Sequence, residues 1–169
     1  MRAFIVTIIL LLAFVVQSTV LQYSQIFNVK PNLVIMLIIH FSLIRGSVEG
    51  AIVGFIGGLF MDILAGRIVG LYSLIGMYIG VAAGYFNKRF YKDNYFVALF
   101  FTFIFTFAFE FTFYLLFYFI WGETRILYVL QHIIVPEAIY NCVVAVPVYM
   151  VLIKIDNWLE EREKSSRKY

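Results

Sequence analysis

Hydrophobic runs, separated by charges or turn residues, divide the chain into six segments. They cover about residues 3–21, 31–44, 48–65, 68–87, 95–121 and 133–154. A helix needs roughly 20 consecutive apolar residues to cross the hydrocarbon core of a membrane, and most of these segments approach or exceed that length. The pattern predicts an all-α integral membrane protein with about six transmembrane helices in one bundle.

The third and fourth segments carry an unusual glycine pattern. The stretch from Arg45 to Tyr85 contains ten of the chain's eleven glycines. Most recur every four residues, in the rows Gly46, Gly50, Gly54, Gly58 and Gly76, Gly80, Gly84. In water each glycine costs a helix about 1 kcal/mol relative to alanine. In a bilayer, small residues at this spacing allow two helix backbones to approach closely. We expect these glycines to pack helices together and to form the hub of the protein.

The composition agrees with a lipid environment. Hydrophobic residues make up 63% of the chain and charged residues 14%, and the mean hydropathy is +0.94. Soluble domains are about half apolar and a quarter charged. The single cysteine, Cys142, excludes an internal disulfide. At 169 residues the chain fits one polytopic transmembrane domain, residues 1–155, followed by a charged tail, residues 156–169, that we expect to be solvated in the cytoplasm.

The distribution of Lys and Arg predicts the orientation, because cytoplasmic segments carry an excess of them. With six spans and the N-terminus inside, the inner segments hold Arg2, Arg45, Lys88, Arg89, Lys92, Lys154, Arg162, Lys164, Arg167 and Lys168. The outer loops hold only Lys30, Arg67 and Arg125. Both termini are therefore expected in the cytoplasm. Its net charge of +3 does not indicate nucleic-acid binding.

Ionisable groups within a membrane span are candidates for function, because lipid penalises them unless they face protein or water. Glu110 lies in the middle of the fifth segment, where every fourth residue is polar: Thr102, Thr106, Glu110, Tyr114 and Tyr118. We expect this ridge to face inward and the phenylalanines of the same helix to face outward. Glu110 then serves either proton coupling or partner contact, or it is hydrogen-bonded to a neighbouring helix as a structural group.

Two further segments contain candidate functional residues. Asp62 follows the first glycine row by the same step of four; it either extends outward to pair with Arg67 or cap a turn, or it takes part in recognition. In the last segment, Pro136 is expected to start the helix, with Glu137 in its first turn and Asn141 on the same face. The sequence also predicts a kink in that helix at Pro147 and a short interfacial helix after Gly122.

Motifs for catalysis are missing from the sequence. It has no Walker A sequence, nucleophile elbow, HExxH or CxxC pair, and His40 and His132 are isolated from other potential metal ligands. We therefore expect a protein that is not an enzyme and binds no metal or cofactor.

Several of these residues resemble a known family. The pattern PNL at Pro31, RGxxxGxxxGFxxGLxxDILAGxxxGLYSL from Arg45 to Leu74, PEAIYN at Pro136 and PVY at Pro147 resembles the rod shape-determining protein MreD. The likeness covers roughly residues 31–150. It extends to Gly50, Gly54, Gly58, Asp62, Gly66, Gly70, Pro136, Tyr140 and Asn141. Asn32 departs from the pattern, which has an aspartate after the proline.

The resemblance implies a scaffold of the bacterial elongation machinery for peptidoglycan. Members of the family act with the bitopic protein MreC, the actin-like MreB filament and the enzymes that build the lateral wall. The six-helix plan also looks like the substrate-binding subunits of energy-coupling-factor vitamin transporters. Two hypotheses follow: an interaction protein that docks a single-span partner, and a solute-binding subunit in which Glu110, Asn141 and Asp62 line a pocket. Glu137 and Tyr140 are further candidates for partner or pocket contacts.

Overall fold

The computed structural model describes residues 2–21, 23, 29–65, 69–87, 95–122 and 126–166. These residues form an all-helical bundle. Its helices are α1 (Arg2–Thr19), α2 (Leu33–Arg45), α3 (Ser47–Ala65), α4 (Leu71–Tyr85), α5 (Tyr95–Trp121), α6 (Ile126–Val129) and α7 (Val135–Ser166). Seven of the thirteen Lys and Arg residues used to predict the orientation, including Arg67, lie outside the described residues.

α2 occupies the centre of the bundle. Every residue from Val34 to Ile44 is buried, and the helix contacts α1, α3, α4, α5 and α7. With 13 residues it is about 20 Å long, shorter than the roughly 30 Å hydrocarbon core. The two ends of α2 give convenient names to the ends of the bundle, the Asn32 end and the Arg45 end.

α3 and α4 form the closest helix pair and run antiparallel. Gly46, Gly50, Gly54 and Gly58 lie in turn against Gly84, Gly80, Gly76 and Ser73. The glycine-rich stretch is thus a flank of the bundle that packs on α2, and not its hub as the sequence suggested. Gly57 faces α2, where a Cβ would lie 3.0–3.2 Å from side-chain atoms of Ile38 and Val34.

Within the part of the chain that the structure describes, two helical stretches are long and apolar enough to cross a membrane by length and composition. They are Phe96–Phe117 and Ile126–Arg162, with mean hydropathies of 2.0 and 1.9. In α5, Thr102, Thr106 and Tyr114 face inward, as the polar ridge predicted. The phenylalanines do not all face outward. Phe105 and Phe109 are buried, because one inward face of a 27-residue helix is wider than a single row of polar residues.

The last helix begins earlier and ends later than expected. α6, a π-helical turn at Leu130–Ile134 and α7 form one continuous helical run, so Pro136 does not start the helix. Proline lacks an N–H group, and its ring clashes with the carbonyl four residues before it. A wide π turn directly before Pro136 relieves this clash. The helix continues through Pro147.

The charged tail also differs from the expectation of a solvated extension. α7 is helical to Ser166, and both Asp156 and Leu159 are buried. The reason is a long-range ion pair between Asp156 and Arg45, at the end of α2. Beyond this contact, Trp158 and Glu161 are exposed, and the Arg162 guanidinium lies 4.5 Å from the centre of the Trp158 ring.

Candidate functional site

The backbones of α3 and α4 touch along the two glycine rows, which we call the glycine seam. A Cβ on Gly76 would lie 2.6 Å from the carbonyl oxygen of Gly54, and one on Gly50 would lie 2.5 Å from that of Gly80. Real Cβ atoms do not approach backbone atoms this closely, so only glycine fits without moving a helix. Because glycine has only a hydrogen atom in place of a side chain, these positions allow α3 and α4 to lie this close together.

Asp62 closes the α3–α4 pair near its Asn32 end. Its carboxylate is buried and accepts hydrogen bonds from the backbone N–H groups of Tyr72 (3.0 Å) and Ser73 (3.1 Å) and from the Ser73 hydroxyl (2.5 Å). The first N–H groups of a helix have no partner inside it, and the helix dipole favours a negative charge there. Asp62 does not extend outward. It caps α4 from a neighbouring helix, because Gly70 at the N-cap position has no side chain to do so.

Asn32 organises the Asn32 end of the bundle. Its Oδ1 atom accepts from the backbone N–H of Ile35 and so caps α2, and its own backbone N–H donates to Oδ1 of Asn141 at 2.8 Å. The Gln17 side chain of α1 accepts from the N–H of Val34 at 3.1 Å. The N-terminus of α2 is therefore satisfied by side chains from α1 and α7 as well as its own.

The Asn32 side chain also lies close to two carboxyl groups, those of Glu110 on α5 and Glu137 on α7. These carboxyl groups also lie close to each other, and we call them the acid pair. Both residues are half-buried. Lys30, exposed just before Pro31, interacts electrostatically with Glu137. Two acidic side chains and one lysine thus lie near the same asparagine at this end of the bundle.

Asn141 connects this cluster to the polar ridge of α5. It is fully buried, and its Nδ2 lies 3.5 Å from Oγ1 of Thr106. One turn further along α5, the Thr102 hydroxyl donates to the carbonyl of Ala98 at 2.7 Å and lies 2.8 Å from Nε2 of His40. The Thr102 oxygen therefore accepts from Nε2–H, and Nδ1 of His40 is left as an acceptor with no partner among the described residues.

A second cluster of charges lies at the Arg45 end. Nε of Arg45 donates to Oδ1 of Asp156 at 2.5 Å, and Nη1 lies 3.5 Å from a carboxylate oxygen of Glu160. Asp156 is buried, whereas the Glu160 side chain is 33% exposed. A basic residue at the C-terminus of α2 also complements the helix dipole. This ion pair ties the central helix to the last one.

The structure thus brings Glu110, Glu137 and Asn141 together around one residue, Asn32. Asp62 takes part in a separate set of bonds between α3 and α4. Tyr140 is half-buried beside Asn141 in the chain, and the side chains of Tyr118 and Arg67 lie outside the description. Asn32 and Lys30 were missed as site residues; the available signal was a capping asparagine between a proline and a long apolar run.

A family model described as rod shape-determining protein MreD matches residues 1–157 of the 169-residue chain. No curated protein and no solved structure shows significant similarity to the chain.

Proposed function

The chain belongs to the rod shape-determining MreD family, and we propose that it is a non-enzymatic membrane scaffold that holds a bitopic MreC-like protein in the elongation machinery. The membership confirms the resemblance found in the sequence and supports a role in rod shape determination. Through that partner, the scaffold is connected to the MreB filament and to the enzymes that synthesise the lateral wall.

The proposal rests on one observation: the polar groups of the bundle contact other groups of the same chain. Three of them, Asp62, Asn32 and Asn141, hydrogen-bond to other groups of the same chain. The carboxyl groups of Glu110 and Glu137 lie close to Asn32. Large apolar side chains occupy the outward faces instead, for example on α3 in the row Val48, Ile52, Phe55, Leu59 and Ile63. Such a surface suits lipid and the apolar membrane helix of a partner.

We place the protein in the cytoplasmic membrane with six spans and both termini inside. In this arrangement α6, the π turn and α7 make one span, and the other five helices make one each. The Arg45 end then faces the cytoplasm and the Asn32 end faces outward. The short α2 supports this arrangement, since its surrounding helices shield its polar ends from lipid.

A substrate-binding subunit of a vitamin-type transporter is the second candidate. The convergence of Glu110, Glu137 and Asn141 at one depth favours it, because solute pockets place a few polar groups together. Asn141, however, is fully buried, and its Oδ1 already accepts from the backbone N–H of Asn32. The scaffold is therefore the better supported function.

Purification in mild detergent from cells that contain the cognate MreC-like protein distinguishes the two functions. Mass spectrometry identifies every protein and small molecule that remains bound. The scaffold predicts a stoichiometric MreC-like protein. A small solute or a transporter energising module in its place contradicts the scaffold and supports the second candidate.

A matched pair of variants makes the test specific. Gly54→Leu places a large side chain against the backbone of Gly76 and pushes α3 away from α4. Gly57→Ala adds one methyl group whose nearest neighbours are side-chain atoms of α2. If partner retention needs the native bundle, it falls in Gly54→Leu and persists in Gly57→Ala. Equal retention by both variants at equal yield shows that the bound surface does not depend on the α3–α4 pair.

A further inference from the structure

The last helical run of the chain is longer than a membrane is thick. From Ile126 to Arg162 it has 37 residues and a length of about 55 Å, whereas the hydrocarbon core measures about 30 Å. On α7, the side chains exposed between Ile139 and Val151 are all apolar, and the first exposed charge after them is that of Lys154. The outward face of α7 therefore leaves the hydrocarbon near Lys154.

At this end, α7 separates its charges by sign. Successive residues of a helix are rotated by about 100°, so Lys154, Trp158 and Arg162 lie within about 80° of each other. All three are exposed. Asp156 and Glu160 lie on the opposite side of the helix, where their carboxylates contact the guanidinium at the end of α2. The outward side thus carries two cations and a tryptophan, and we call Lys154, Trp158 and Arg162 the basic face.

Neither cation of the basic face is paired with a described acid. Among the residues that the structure describes, no carboxylate lies within ion-pair distance of Lys154 or Arg162. The Arg162 guanidinium instead lies 4.5 Å from the centre of the Trp158 ring, a cation–π contact. Stacking fixes the plane of the guanidinium and leaves the N–H groups on its edge available to two oxygens of one phosphate. Glu161 lies at the margin of the face, which keeps a net positive charge.

An anionic lipid fits the basic face better than a soluble anion does. Tryptophan prefers the boundary between hydrocarbon and water, and Lys and Arg near that boundary attract anionic headgroups. From Lys154 to Arg162 the helix rises about 12 Å, which is enough to pass through a headgroup region about 5–8 Å deep. The apolar surface that ends at Val151 adjoins the face, so a lipid bound there keeps its acyl chains on that surface. A soluble phosphate has no apolar part that could use it.

We infer that the basic face binds the headgroup of an anionic phospholipid, with Arg162, stacked on Trp158, bound to the phosphate and Lys154 at the edge of the hydrocarbon. The bound lipid holds α7 at a fixed depth in the membrane. It thereby also holds the Arg45 end of the bundle, to which α7 is tied by the Asp156 ion pair. Because the ligand is a lipid, the inference is independent of an MreC-like partner.

Native mass spectrometry of the whole, delipidated protein in neutral detergent tests the inference. The protein is titrated with phosphatidylglycerol and with phosphatidylcholine of the same chain length. Phosphatidylglycerol should bind roughly 25-fold more tightly, because each of the two cations contributes about fivefold to the binding of an anionic headgroup. Equal affinity for the two lipids overturns the inference. This comparison uses the parent protein and does not depend on the folding of a variant.

Two competitors identify the occupant of the basic face. Neither inorganic phosphate nor a poly-glutamate peptide, each added in excess, should displace phosphatidylglycerol. Displacement by phosphate would assign the face to a soluble anion, and displacement by the peptide would assign it to an acidic segment of a protein. Either result contradicts a lipid site.

Variants of one residue locate the site. Arg162→Gln should lower the affinity for phosphatidylglycerol about fivefold and leave that for phosphatidylcholine unchanged. Arg162→Lys keeps the charge but not the flat group that stacks on Trp158, so it should recover only part of the affinity. Lys30→Gln removes the same charge at the Asn32 end and is the matched control; it should bind as the parent does. An equal loss in Lys30→Gln and Arg162→Gln would mean that net charge alone matters, and it overturns the inference.

Discussion

Gly54 on α3 and Gly76 on α4 are in backbone contact: the carbonyl group of each occupies the place where the side chain of the other would begin. The contact repeats at Gly50 and Gly80, so the two helices meet along a continuous line. Close packing of this kind is what stabilises helix pairs in lipid, where apolar burial gives no advantage over lipid contact.

Replacing Gly54 by alanine should therefore destabilise the protein. The new methyl group meets the backbone of Gly76, which cannot rotate away as a side chain can. We expect a loss of about 1–3 kcal/mol in the free energy of unfolding, the usual cost of overpacking. Thermal unfolding in detergent measures it. Gly57→Ala is the control, and it should cost less, since Ile38 and Val34 can shift by a few tenths of an ångström. Equal costs at Gly54 and Gly57 would show that the seam is not tight.

Removal of the Asp62 carboxylate should uncap α4. Asp62→Ala leaves the N–H groups of Tyr72 and Ser73 without this acceptor inside the bundle, and each buried donor that loses its partner costs about 1–3 kcal/mol. Ser73→Ala removes only the hydroxyl bond and should cost less. Hydrogen exchange of the first turn of α4 reports the change directly. Unchanged exchange in Asp62→Ala is the result that argues against capping.

The ion pair at the Arg45 end gives a third prediction. Asp156→Ala leaves the largely buried Arg45 without its main partner, and breaking a buried pair from one side costs about 3–5 kcal/mol. Glu160→Ala should cost under 1 kcal/mol, because that carboxylate is partly exposed and 3.5 Å away. The two variants are compared by thermal unfolding. A similar loss in both would mean that burial of Asp156 contributes little.

Asn32→Asp tests the organisation of the Asn32 end. The substitution replaces the amide beside the acid pair with a third carboxyl group. We expect a loss of about 1–3 kcal/mol at neutral pH from unpaired acceptors and like charges. Adding Glu137→Gln restores both an amide and the number of carboxyls, and it should recover part of the stability. If the double variant is as unstable as Asn32→Asp alone, Asn32 does not act on stability through the acid pair.

Some of these features follow from local sequence and others do not. The spacing of the glycines is a local property, so the sequence indicates which faces of α3 and α4 meet. Asn32 and Asn141 are 109 residues apart in the sequence, and Arg45 and Asp156 are 111 apart. The sequence around each residue does not indicate which distant residue it contacts. The long-range contact with Arg45 is the reason why Asp156 is buried in a stretch whose composition suggests exposure to solvent.

The central position of α2 could not be predicted from the sequence for a different reason. An apolar helix has the same composition whether lipid or protein surrounds it, so hydropathy does not distinguish a peripheral helix from a central one. Only its length of 13 residues, short for a span, was a local indication. The π turn before Pro136 depends likewise on the helix continuing upstream, which the sequence alone does not show.

We propose that the protein maintains rod shape by holding a membrane partner on a tightly packed bundle. The most direct test is complementation of rod-shape loss in cells that lack the protein, with retention of the MreC-like partner measured in the same cells. Gly57→Ala should restore both shape and partner retention, and Gly54→Leu should restore neither. A variant that restores rod shape without retaining the partner, at parental protein levels, would contradict it.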